Sequence, residues 1–579
     1  MPCLECFCFR IERHSMRILT SAEVRQAELE AISRTGMSAL ILMQRAGYAV
    51  AQFCLSHFKF NSVCVVCGRD GNGGDGMAAA ESLREIAAKV SVLVLAKDAS
   101  ELSEESAAMC SRLTVHPIWA SNEAVLESDE VRDALRADLI VDAIAGADFR
   151  PPLDGLAKKA VEAINDAFGT IVSVDVPSGF DADSRALAHE SGHDAVFAHG
   201  IITFIAPKPV HVFGELTSGP VAVSEIGVQP ALVPNITGLG VVTGQEVGIT
   251  FPPRSSHAHK DQFGHVLVIA GSLGKAGAAC LAGMAALRTG AGLVTVACPK
   301  SIQTTVAGFA PELMTEGLKE TEEGTISMEA SDQLESLLSG KDVVVLGPGL
   351  SRNAETTTMV RWLAARCLQP LVLDADGLNA FDGHYDELKR HGDITPFRVL
   401  TPSPGEAARL IGVSTNYIQS DRLEVARRIA SETGSCVVLK GWRTIVAGAS
   451  GETWLNLTGN AALAKAGSGE VLCGMIGAAL ARQAESFLPV REAAGASESA
   501  SLVEGVLAQH LQRNSGTASA FLKDINVAAA VHLHGLVADI VRDILHENTV
   551  LAADLLDNLS EAFRDCDLQR DRGLFYLQK

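Results

Sequence analysis

The chain has 579 residues, of which 47% are apolar and 20% are charged, and its formal net charge is −21. A typical domain has ~150 residues, so this length exceeds one hydrophobic core and predicts two to four domains. The acidity argues against a nucleic-acid partner, because phosphate binding depends mainly on Lys and Arg, and no apolar run approaches the ~20 residues needed to cross a bilayer.

The first fifteen residues, MPCLECFCFRIERHS, lack the form of a signal peptide, because their apolar stretch is short, rich in Cys and followed by charge. We expect Met16 to be the true start and residues 1–15 to be a non-native or disordered extension, with a metal-binding tail as the alternative. Thr20 or Ser21 is expected to cap a helix that carries acids in its first turn.

The 13 cysteines are scattered without a disulfide framework. Cys64 and Cys67 have the spacing of a redox or metal-binding pair, but they lie in SVCVVCGRD, which is typical of a buried strand with Cys as a small apolar residue. The cysteine usage favours a reducing compartment, and therefore the cytoplasm.

Two series of short apolar strands alternate with amphipathic stretches of helical length. The first contains SVCVVCG, VSVLVLA, DLIVDAIAG, TIVSVDVPSG and GIITFIAP; the second contains HVLVIAGS, AGLVTVACP, DVVVLGPG, PLVLDADG, FRVLTPSPGE and SCVVLKGW. This alternation predicts parallel strands joined by crossover helices, so each series is expected to be a doubly wound α/β domain. We assign 16–235 to the first domain and 236–579 to the second, and we expect 485–522, rich in Ser, Ala and Glu, to be an insertion or mobile loop.

A glycine-rich segment of the first series, CGRDGNGGDGMAAAESL, follows a strand and opens a helix. Glycines there let backbone N–H groups approach an anion, and the helix start favours negative charge. Asp142 and Asp175 follow two other strands, and ligands of open α/β sheets bind at the carboxyl ends of strands. Asn72, Asp142 and Ser178 together offer the hard oxygen ligands that suit a cation.

The motifs MRILTSAEVRQAE, LMQRAG, GNGGDG, VDAIAG and VDVPSGFD, in this order, resemble the NAD(P)H-hydrate epimerase family. Its members interconvert the R and S forms of hydrated NADH and NADPH (NADHX and NADPHX). The resemblance implies a Rossmann-like three-layer α/β domain, a potassium ion held by Asn72, Asp142 and Ser178, and Asp175 as the residue that shuttles a proton. The substrate-lining residues that it implies are Gly71, Asn72, Gly73, Gly74 and Asp75 in one loop, Gly146, Ala147, Asp148, Phe149, Arg150, Pro151 and Pro152 in another, and Asp175.

The second series carries a glycine-rich helix start in LAKAGSGEVLCGMIGAALARQ, residues 463–483, with Glu470 at the helix tip. The motifs LGPGLS, LDADGLNAF, LTPSPGEAARL and LKGWRT precede it at predicted strand ends. Farther along, in VAAAVHLHGLVADIV, we expect His532 and His534 to be packing residues rather than metal ligands.

This second series resembles the ADP-dependent NAD(P)H-hydrate dehydratase family of the ribokinase-like superfamily, over most of 255–579. Together with the first series it is similar to the fused, bifunctional NAD(P)H-hydrate repair enzymes of bacteria and archaea. The resemblance implies that the glycine loop is an anion hole and that Glu470 is the base acting on the substrate hydroxyl. Phosphoryl transfer from ADP then makes this hydroxyl a leaving group, and elimination restores NADH or NADPH with AMP and phosphate as products. The substrate-binding residues implied are Ala278, Gly349, Ser403 and Glu470, and the nucleotide-binding residues are Lys440, Gly441, Trp442, Arg443, Thr444 and Gly469.

The chain departs from these families at five positions. Asp70 and Gly71 stand where the epimerases have Gly and Asn, and Asp148 replaces a Gly; Glu470 replaces an Asp of the dehydratases, and Ser403 replaces a His. The extra methylene of Glu470 moves the carboxylate by about one C–C bond, and such a misplacement can cost ~100-fold in rate. Two alternatives therefore stay open beside a bifunctional repair enzyme, namely a ribokinase-like small-molecule kinase and a non-catalytic nucleotide-binding homologue.

The expected cofactors are K⁺ in the first domain and Mg²⁺ with ADP as phosphoryl donor in the second, the Mg²⁺ being inferred from nucleotide chemistry. The expected partners are the small molecules NADHX, NADPHX and ADP, with neither nucleic acid nor membrane. The resemblance also implies a homo-oligomer, with a tetramer among the options.

Overall fold

The computed structural model describes residues 16–186, 194–229, 232–233, 237–389, 396–482, 501–567 and 574–577, with side chains omitted for 501–518, 567 and 576. The chain forms two compact units: Met16–Leu239 with Asp571–Lys579 make up the first, and Gly240–Arg570 the second. The predicted extension 1–15 lies outside the described residues, as do 485–500 of the predicted insertion.

The first unit alternates strands and helices as the sequence predicts. Its strands are β1 (Met16–Arg17), β2 (Ser62–Cys67), β3 (Lys89–Val94), β4 (Ile118–Trp119), β5 (Leu139–Ala143), β6 (Thr170–Val174), β7 (Gly200–Phe204), β8 (Val221–Ser224) and, from the end of the chain, β19 (Leu574–Tyr576). Its helices are α1 (Ser21–Thr35), α2 (Ala39–His57), α3 (Gly71–Leu83), α4 (Glu104–Cys110), α5 (Glu123–Leu126), α6 (Asp129–Ala134), α7 (Gly155–Asn165) and α8 (Pro209–Phe213).

Eight of these strands form a parallel sheet in the order β19-β8-β7-β6-β5-β2-β3-β4. Successive residues of β2 face opposite sides: Val63, Val65 and Cys67 pack in one apolar cluster with α2 and α3, and Cys64 and Val66 pack in another with α5, α6 and α7. Helices therefore cover both faces of the sheet, which confirms the predicted doubly wound α/β architecture.

Local details of the first unit also follow the sequence. Thr20 caps α1, because its hydroxyl accepts a hydrogen bond from the Glu23 N–H while the Glu23 carboxylate accepts one from the Thr20 N–H. Cys64 and Cys67 are buried free thiols of β2, and burial raises the pKa of Cys64 to about 12. They are core residues, as predicted.

The second unit is larger and has two antiparallel strands at one end of its series. Its strands are β9 (Leu239–Val241, which begins at the boundary), β10 (His265–Ile269), β11 (Leu293–Pro299), β12 (Met314–Leu318), β13 (Val343–Leu346), β14 (Leu371–Leu373), β15 (Arg398–Leu400), β16 (Cys436–Leu439), β17 (Ile445–Ala447) and β18 (Thr453–Leu455). Its helices are α9 (Gly244–Thr250), α10 (Ala276–Thr289), α11 (Lys300–Ala307), α12 (Ser331–Leu338), α13 (Ala354–Arg366), α14 (Asp376–Asn379), α15 (Pro404–Ile411), α16 (Thr415–Ser420), α17 (Arg422–Thr433), α18 (Ser468–Ala481), α19 (Ser501–Ile544) and α20 (Ala552–Asp567).

The strands of this unit run in the order β9-β18-β17-β16-β15-β14-β13-β10-β11-β12. Pairings from β16 to β12 are parallel, and β17 and β18 are antiparallel. The helices α10 and α18 approach closely, because a Cβ at Gly474 would lie 2.1 Å from the Ala282 carbonyl oxygen. Gly474 therefore serves helix packing, which explains one of the glycines in LAKAGSGEVLCGMIG.

The long helix α19 begins inside the segment predicted to be an insertion or loop. Among the described residues, its part Ser519–Ile544 is the one stretch long and apolar enough to cross a bilayer, with a mean hydropathy of 1.3. A search for uninterrupted apolar runs misses it. Since 83% of the apolar window is buried inside the protein, this stretch is a core helix of the second unit.

Both sheets have a switch point at which the strand order reverses. In the first unit β3 and β5 lie on opposite sides of β2, and in the second β11 and β13 lie on opposite sides of β10. Ligands of open α/β sheets bind in the crevice at the carboxyl ends of strands at such points. Each unit therefore presents one candidate crevice.

Candidate active sites

Asp175 follows β6 directly and is held in a left-handed backbone conformation with φ of 65°, which is uncommon for a residue other than glycine. Its Oδ1 accepts hydrogen bonds from the Thr203 hydroxyl at 2.8 Å and from the Lys208 ammonium at 2.5 Å. Its Oδ2 accepts one from the Ala147 N–H at 2.9 Å, and no other described group donates to it. Oδ2 is therefore the oxygen with capacity left for a ligand.

Lys208 is 1% exposed and lies beneath this carboxylate. Its ammonium group donates to Asp175 Oδ1, to Thr203 Oγ1 at 2.8 Å and to the Phe204 carbonyl at 3.1 Å. A lysine has three N–H donors, so all of them are used inside the protein. Burial on its own raises the pKa of Asp175, but Lys208 outweighs it and lowers that pKa below its ordinary value.

His211 completes the support of Asp175 from the backbone side. Its Nδ1 accepts from the Lys208 N–H at 2.9 Å, so Nε2 carries the proton and donates to the Asp175 carbonyl at 2.8 Å. Burial lowers the pKa of His211 to about 4. His211 is thus a neutral positioning group at physiological pH.

Two further carboxylates belong to the same electrostatic cluster. Burial, assisted by the negative charges of Asp175 and Asp148, outweighs the lowering effect of Lys208 and raises the pKa of Glu28 to about 7. Burial and the neighbouring Asp175 also raise the pKa of Asp75 well above its ordinary value. One buried lysine therefore faces several carboxylates, and those other than Asp175 resist ionisation.

The three predicted cation ligands converge on the loop after β5. Asp142 is fully buried and accepts four hydrogen bonds: from the N–H and hydroxyl of Ser178 at 2.9 and 2.6 Å, the Ser173 hydroxyl at 2.8 Å and the Ile144 N–H at 3.3 Å. Burial nevertheless raises the pKa of Asp142. Asn72 reaches the same loop, because its Oδ1 would lie 2.9 Å from a Cβ at Gly146.

Asn72 also has a buried amide nitrogen without a hydrogen-bond partner. The two ends of a primary amide have nearly the same shape, so turning the group over would place an oxygen at that position. The donor set of one carboxylate, one hydroxyl, one amide and nearby backbone carbonyls is a hard oxygen set. It fits a cation such as K⁺.

The predicted substrate-lining loops flank this cluster. Gly73 requires glycine, because a Cβ there would lie 2.1 Å from the Gly68 carbonyl oxygen. Asp70 and Asp148, the two acids that depart from the family pattern, are both exposed. Water can therefore solvate these charges. The Arg150 guanidinium, in contrast, is engaged by hydrogen bonds within the protein.

In the second unit, Lys440 follows β16 directly. Its ammonium group donates to Asp374 Oδ1 at 2.9 Å and lies 3.6 Å from Glu406 Oε2. The Thr401 hydroxyl donates to the same Asp374 oxygen at 2.6 Å. Burial alone lowers the pKa of Lys440, but Asp374 and Glu406 outweigh it and raise that pKa above its ordinary value. Lys440 is therefore a fixed positive charge.

The glycine-rich start of α18 lies against this lysine. A Cβ at Gly469 would meet only the Lys440 ammonium, at 3.6 Å, among the described atoms within 4 Å. The backbone at this helix start is thus open toward Lys440, as an anion hole requires. Burial raises the pKa of Glu470, the third residue of the helix, and the neighbouring Asp374 acts in the same direction. A raised pKa makes Glu470 a stronger base.

Ala278 and Gly349 meet at the switch point of the second sheet. Gly349 has a φ of 67°, and a Cβ there would lie 2.9 Å from the Ala278 Cβ. Ala282 of α10 packs on Gly474 of α18. Ala278 lies one turn before Ala282, and Glu470 lies one turn before Gly474. Both helices therefore carry these residues to the same edge of the sheet.

Ser403 has a local structural partner. Its hydroxyl accepts from the Glu406 N–H at 3.3 Å, and the Glu406 carboxylate accepts from the Ser403 N–H at 2.7 Å, which forms a capping box at the start of α15. Ser403 thereby holds Glu406, and Glu406 in turn faces Lys440.

A cavity of about 400 Å³ opens beside Lys440. The six residues for which the resemblance implies nucleotide contact all line it; they are Lys440, Gly441, Trp442, Arg443, Thr444 and Gly469. The structure shows that the six residues line one cavity, and their binding of a nucleotide stays a prediction. His534, expected to be a packing residue, also lines the cavity, with Nε2 3.0 Å from the Ser468 carbonyl oxygen.

Sequence reasoning missed several residues of both sites. Asp374 in LVLDADG directly follows a buried strand, and that position is the signal that could have singled it out. Lys208 in FIAPKPV lies beyond the end of β7, where the sequence gives no such signal. Glu28 and Glu406 lie within helices, where an isolated acid gives no such signal.

Comparisons with known proteins agree with this two-site arrangement. Residues 39–210 match the family model described as YjeF-related protein N-terminus, and residues 266–527 match the model described as NAD(P)H-hydrate dehydratase. The chain is 34% identical over 561 residues to the bifunctional NAD(P)H-hydrate repair enzyme Nnr of Moorella thermoacetica, which covers 95% of this chain and 97% of that protein. It is 32% identical over 468 residues to the Escherichia coli enzyme of the same name, covering 80% of this chain and 85% of that one.

Among solved structures, the ADP/ATP-dependent NAD(P)H-hydrate dehydratase from Bacillus subtilis, co-crystallised with ATP and Mg²⁺, is 27% identical. The match covers 56% of this chain and 98% of that chain, with a TM-score of 0.43.

Proposed function

This chain belongs to the family of bifunctional NAD(P)H-hydrate repair enzymes, and we propose that its two sites act in succession on one damaged dinucleotide. The first unit interconverts the R and S forms of NADHX and NADPHX. The second unit dehydrates the S form to NADH or NADPH with ADP, giving AMP and phosphate. The observation that carries the proposal is that each sheet edge places one carboxylate, Asp175 or Glu470, near a lysine that donates a hydrogen bond to an aspartate.

In the first site, Asp175 Oδ2 accepts the proton of the hydroxyl group on the hydrated ring carbon as the bond from that carbon to the ring nitrogen breaks and a carbonyl group forms. The nitrogen then adds to the opposite face of the carbonyl, the bond to the ring carbon re-forms with inverted configuration, and Asp175 returns the proton to the oxygen. The proton balance of the isomerisation is therefore zero. Lys208 and Thr203 bind Oδ1 and keep the carboxylate ionised and oriented, because all their donors face inward. The Ala147 N–H fixes the direction of Oδ2.

We propose that Asn72, Asp142 and Ser178 hold K⁺ in this unit. Support comes from their convergence on one loop, from their hard oxygen donors and from the unpartnered amide nitrogen of Asn72. A bound K⁺ would supply positive charge that offsets the buried Asp142 and attracts the diphosphate of the dinucleotide. Among the described residues no cluster of three or more His, Cys, Asp or Glu forms an alternative metal site.

In the second site, Glu470 accepts the proton of the substrate hydroxyl. The oxygen of that hydroxyl takes the terminal phosphoryl group of ADP, and AMP leaves. Lys440 and the N–H groups at the start of α18 stabilise the negative charge of that group. Loss of phosphate and of a ring proton then restores the double bond of the reduced nicotinamide. The nucleotide occupies the cavity lined by Lys440, Trp442 and Gly469.

Mg²⁺ accompanies the nucleotide in this proposal and would neutralise charge on its phosphates. Glu406 and Glu470 are carboxylates near Lys440 and are of the donor type that Mg²⁺ takes. ADP rather than ATP is proposed as the donor because the fused two-domain form is the one that the ADP-dependent repair enzymes share. We further propose a cytoplasmic location, since the buried free thiols suit a reducing compartment, and a homo-oligomer, which the family resemblance implies.

The test is to incubate the purified protein with hydrated NADH and nucleotide and to follow the absorbance of reduced nicotinamide. Recovery that needs ADP and yields AMP and phosphate supports repair, and it should consume both epimers. Formation of ADP from ATP with a stable phosphorylated product would identify a small-molecule kinase instead. Binding without turnover would identify a non-catalytic homologue.

A further inference from the structure

Arg150, which the resemblance places among the substrate-lining residues, uses its guanidinium group within the protein. Its Nη1 donates to the Ala147 carbonyl at 2.9 Å and to the Phe149 carbonyl at 2.8 Å, and its Nη2 donates to Ser21 Oγ at 2.8 Å and to Asp183 Oδ2 at 3.1 Å. The two terminal nitrogens carry four N–H groups in total. Both are therefore fully engaged, and neither has an N–H left for a dinucleotide phosphate.

The far end of this network is anchored at the start of α1. Ser21 donates its N–H to Asp183 Oδ1 at 2.8 Å and its hydroxyl to Asp183 Oδ2 at 2.6 Å, and Ser21 itself is buried. Asp181 adds an ion pair, with its Oδ1 3.6 Å from Arg150 Nη1. Arg150 thus bridges a fixed carboxylate and the loop that follows β5.

The near end of the network leads to the reacting carboxylate. Arg150 binds the carbonyl of Ala147, and the N–H of the same residue donates to Asp175 Oδ2. A loop closed by Arg150 holds that N–H in place. If the loop opens, the N–H leaves Oδ2, and Oδ2 loses both its orientation and a hydrogen bond that stabilises its charge.

We propose that Arg150 is a positioning residue for epimerisation, which acts through Ala147 on Asp175 and is itself anchored by Asp183 and Ser21. This inference rests on the proposed function of the first unit. It differs from the role implied by the resemblance, in which Arg150 contacts the substrate. The two roles predict different kinetics and different behaviour of Asp183, which binds Arg150 and Ser21.

The experiment compares Arg150→Ala, Arg150→Lys and Asp183→Ala in the full chain, with Arg34→Ala as the matched control. Arg34 lies on α1 and pairs with Glu30 at the surface. The kinetic readout is R/S exchange of NADHX followed by chromatography. We expect Arg150→Ala and Asp183→Ala each to lower kcat by ~10- to 100-fold with little change in KM, and the double variant to be no worse than either.

Two readouts separate positioning from plain structural loss. The acid limb of the kcat/KM profile should move to higher pH in both alanine variants, because Asp175 loses a donor, and Arg150→Lys should recover part of kcat. Amide hydrogen exchange at Ala147, measured by mass spectrometry, should accelerate at least ~10-fold in both variants and stay unchanged in Arg34→Ala.

Three results would overturn the proposal: a raised KM with unchanged kcat in Arg150→Ala, wild-type kinetics in Asp183→Ala, or unchanged exchange at Ala147. The amide hydrogen-exchange measurement needs no turnover, so it tests the positioning role of Arg150 even if the protein has no epimerase activity. Failure of the proposed function would instead appear as R/S exchange that survives in Asp175→Asn. Should Arg150→Ala not fold, Arg150→Lys carries the same expectations at smaller amplitude.

Discussion

The Lys208 ammonium lies 2.5 Å from the Asp175 carboxylate, and both side chains are withdrawn from solvent. The free-energy cost of removing two charged groups from water can exceed the attraction that the buried pair gains. The pair is therefore expected to add little to the stability of the fold. Its value for catalysis is that it keeps a carboxylate ionised in a buried crevice. The same logic recurs at Lys440, which Asp374 and Glu406 hold in the second unit.

Lys208→Met is expected to weaken both stability and epimerisation. Without the ammonium group, burial raises the pKa of Asp175, so at neutral pH the crevice holds either an unpaired charge or a protonated, inactive acid. Breaking a buried pair typically costs ~3–5 kcal/mol. The lowered pKa of Asp175 contributes stability above the ordinary pKa of an aspartate, and this contribution is lost as the pH falls. Urea unfolding at several pH values should therefore show the largest deficit of Lys208→Met near neutral pH.

The control for this variant is Lys89→Met. Lys89 forms an ion pair with Asp133 at 2.9 Å, but both side chains are well exposed. Its loss is expected to cost no more than ~1 kcal/mol and to leave R/S exchange unchanged. Equal losses of stability in the two variants would contradict the buried-pair account.

Glu28→Gln is expected to stabilise the protein in a pH-dependent way. The pKa of Glu28 is raised from 4.5 to about 7, so the folded protein binds a proton that the unfolded chain releases above pH 4.5. Wild-type stability therefore falls as the pH rises from about 4.5 to about 7, and glutamine, which does not ionise, escapes this loss. The shift corresponds to an advantage of up to ~3 kcal/mol above about pH 7 and to little advantage near pH 4.5.

Glu30→Gln, on the same helix and paired with Arg34 at the surface, provides the comparison. Its free energy of unfolding should stay within about 0.5 kcal/mol of wild type at each pH. A Glu28→Gln advantage that does not grow with pH would contradict the assignment of a raised pKa to this residue.

The fold was predictable because each strand has a recognisable local sequence pattern. SVCVVC, LIVDA and TIVSV are short apolar runs ended by glycine or an acid, and their alternation with helical stretches leaves a doubly wound sheet as the consistent solution. Asp142 and Asp175 were found for the same reason, since each stands where a buried strand ends. The family resemblance, carried by these motifs, is confirmed by a relative that covers 95% of the chain.

The rest of the sites depends on contacts that no local pattern encodes. Lys208 sits in FIAPKPV, where a lysine after a proline is typical of a solvated loop, and its partner lies 33 residues earlier in the chain. Glu28 acquires its raised pKa from burial in the folded unit and from Asp175, which is distant from it in the chain. His534 has the spacing of a core residue, and only the folded structure shows that it also lines the cavity.

Ser403→Ala is expected to lower the free energy of unfolding of the second unit by ~1 kcal/mol, because it removes the cap of α15. The loss also frees the Glu406 carboxylate, which faces Lys440. Ser403→Asp keeps a capping oxygen and should retain the stability. If the two variants unfold at the same urea concentration, below that of the wild type, the capping hydroxyl is not what Ser403 contributes.

Lys440→Met is expected to weaken ADP binding. A hydrogen bond to a charged group contributes ~1.5–3 kcal/mol, so the dissociation constant measured by calorimetry should rise by ~10- to 100-fold. Lys319→Met is the matched control, since Lys319 pairs with Glu329 at the surface. R/S exchange should be unaffected in both. An unchanged affinity in Lys440→Met would remove this lysine from the nucleotide site.

Glu470→Gln tests the identity of the base with the least change of shape. The amide cannot accept the proton of the substrate hydroxyl, so ADP-dependent recovery of NADH should fall by ~10²- to 10⁴-fold, the usual contribution of a general base, while R/S exchange continues. Glu470→Asp keeps the carboxylate and moves it by about one C–C bond, so it should stay within ~100-fold of wild type in either direction. Since burial raises the pKa of Glu470, the rate should fall as the pH drops through that raised value and the base is protonated. Full recovery in Glu470→Gln would show that another group takes the proton, and the open start of α18 would then serve phosphate binding alone.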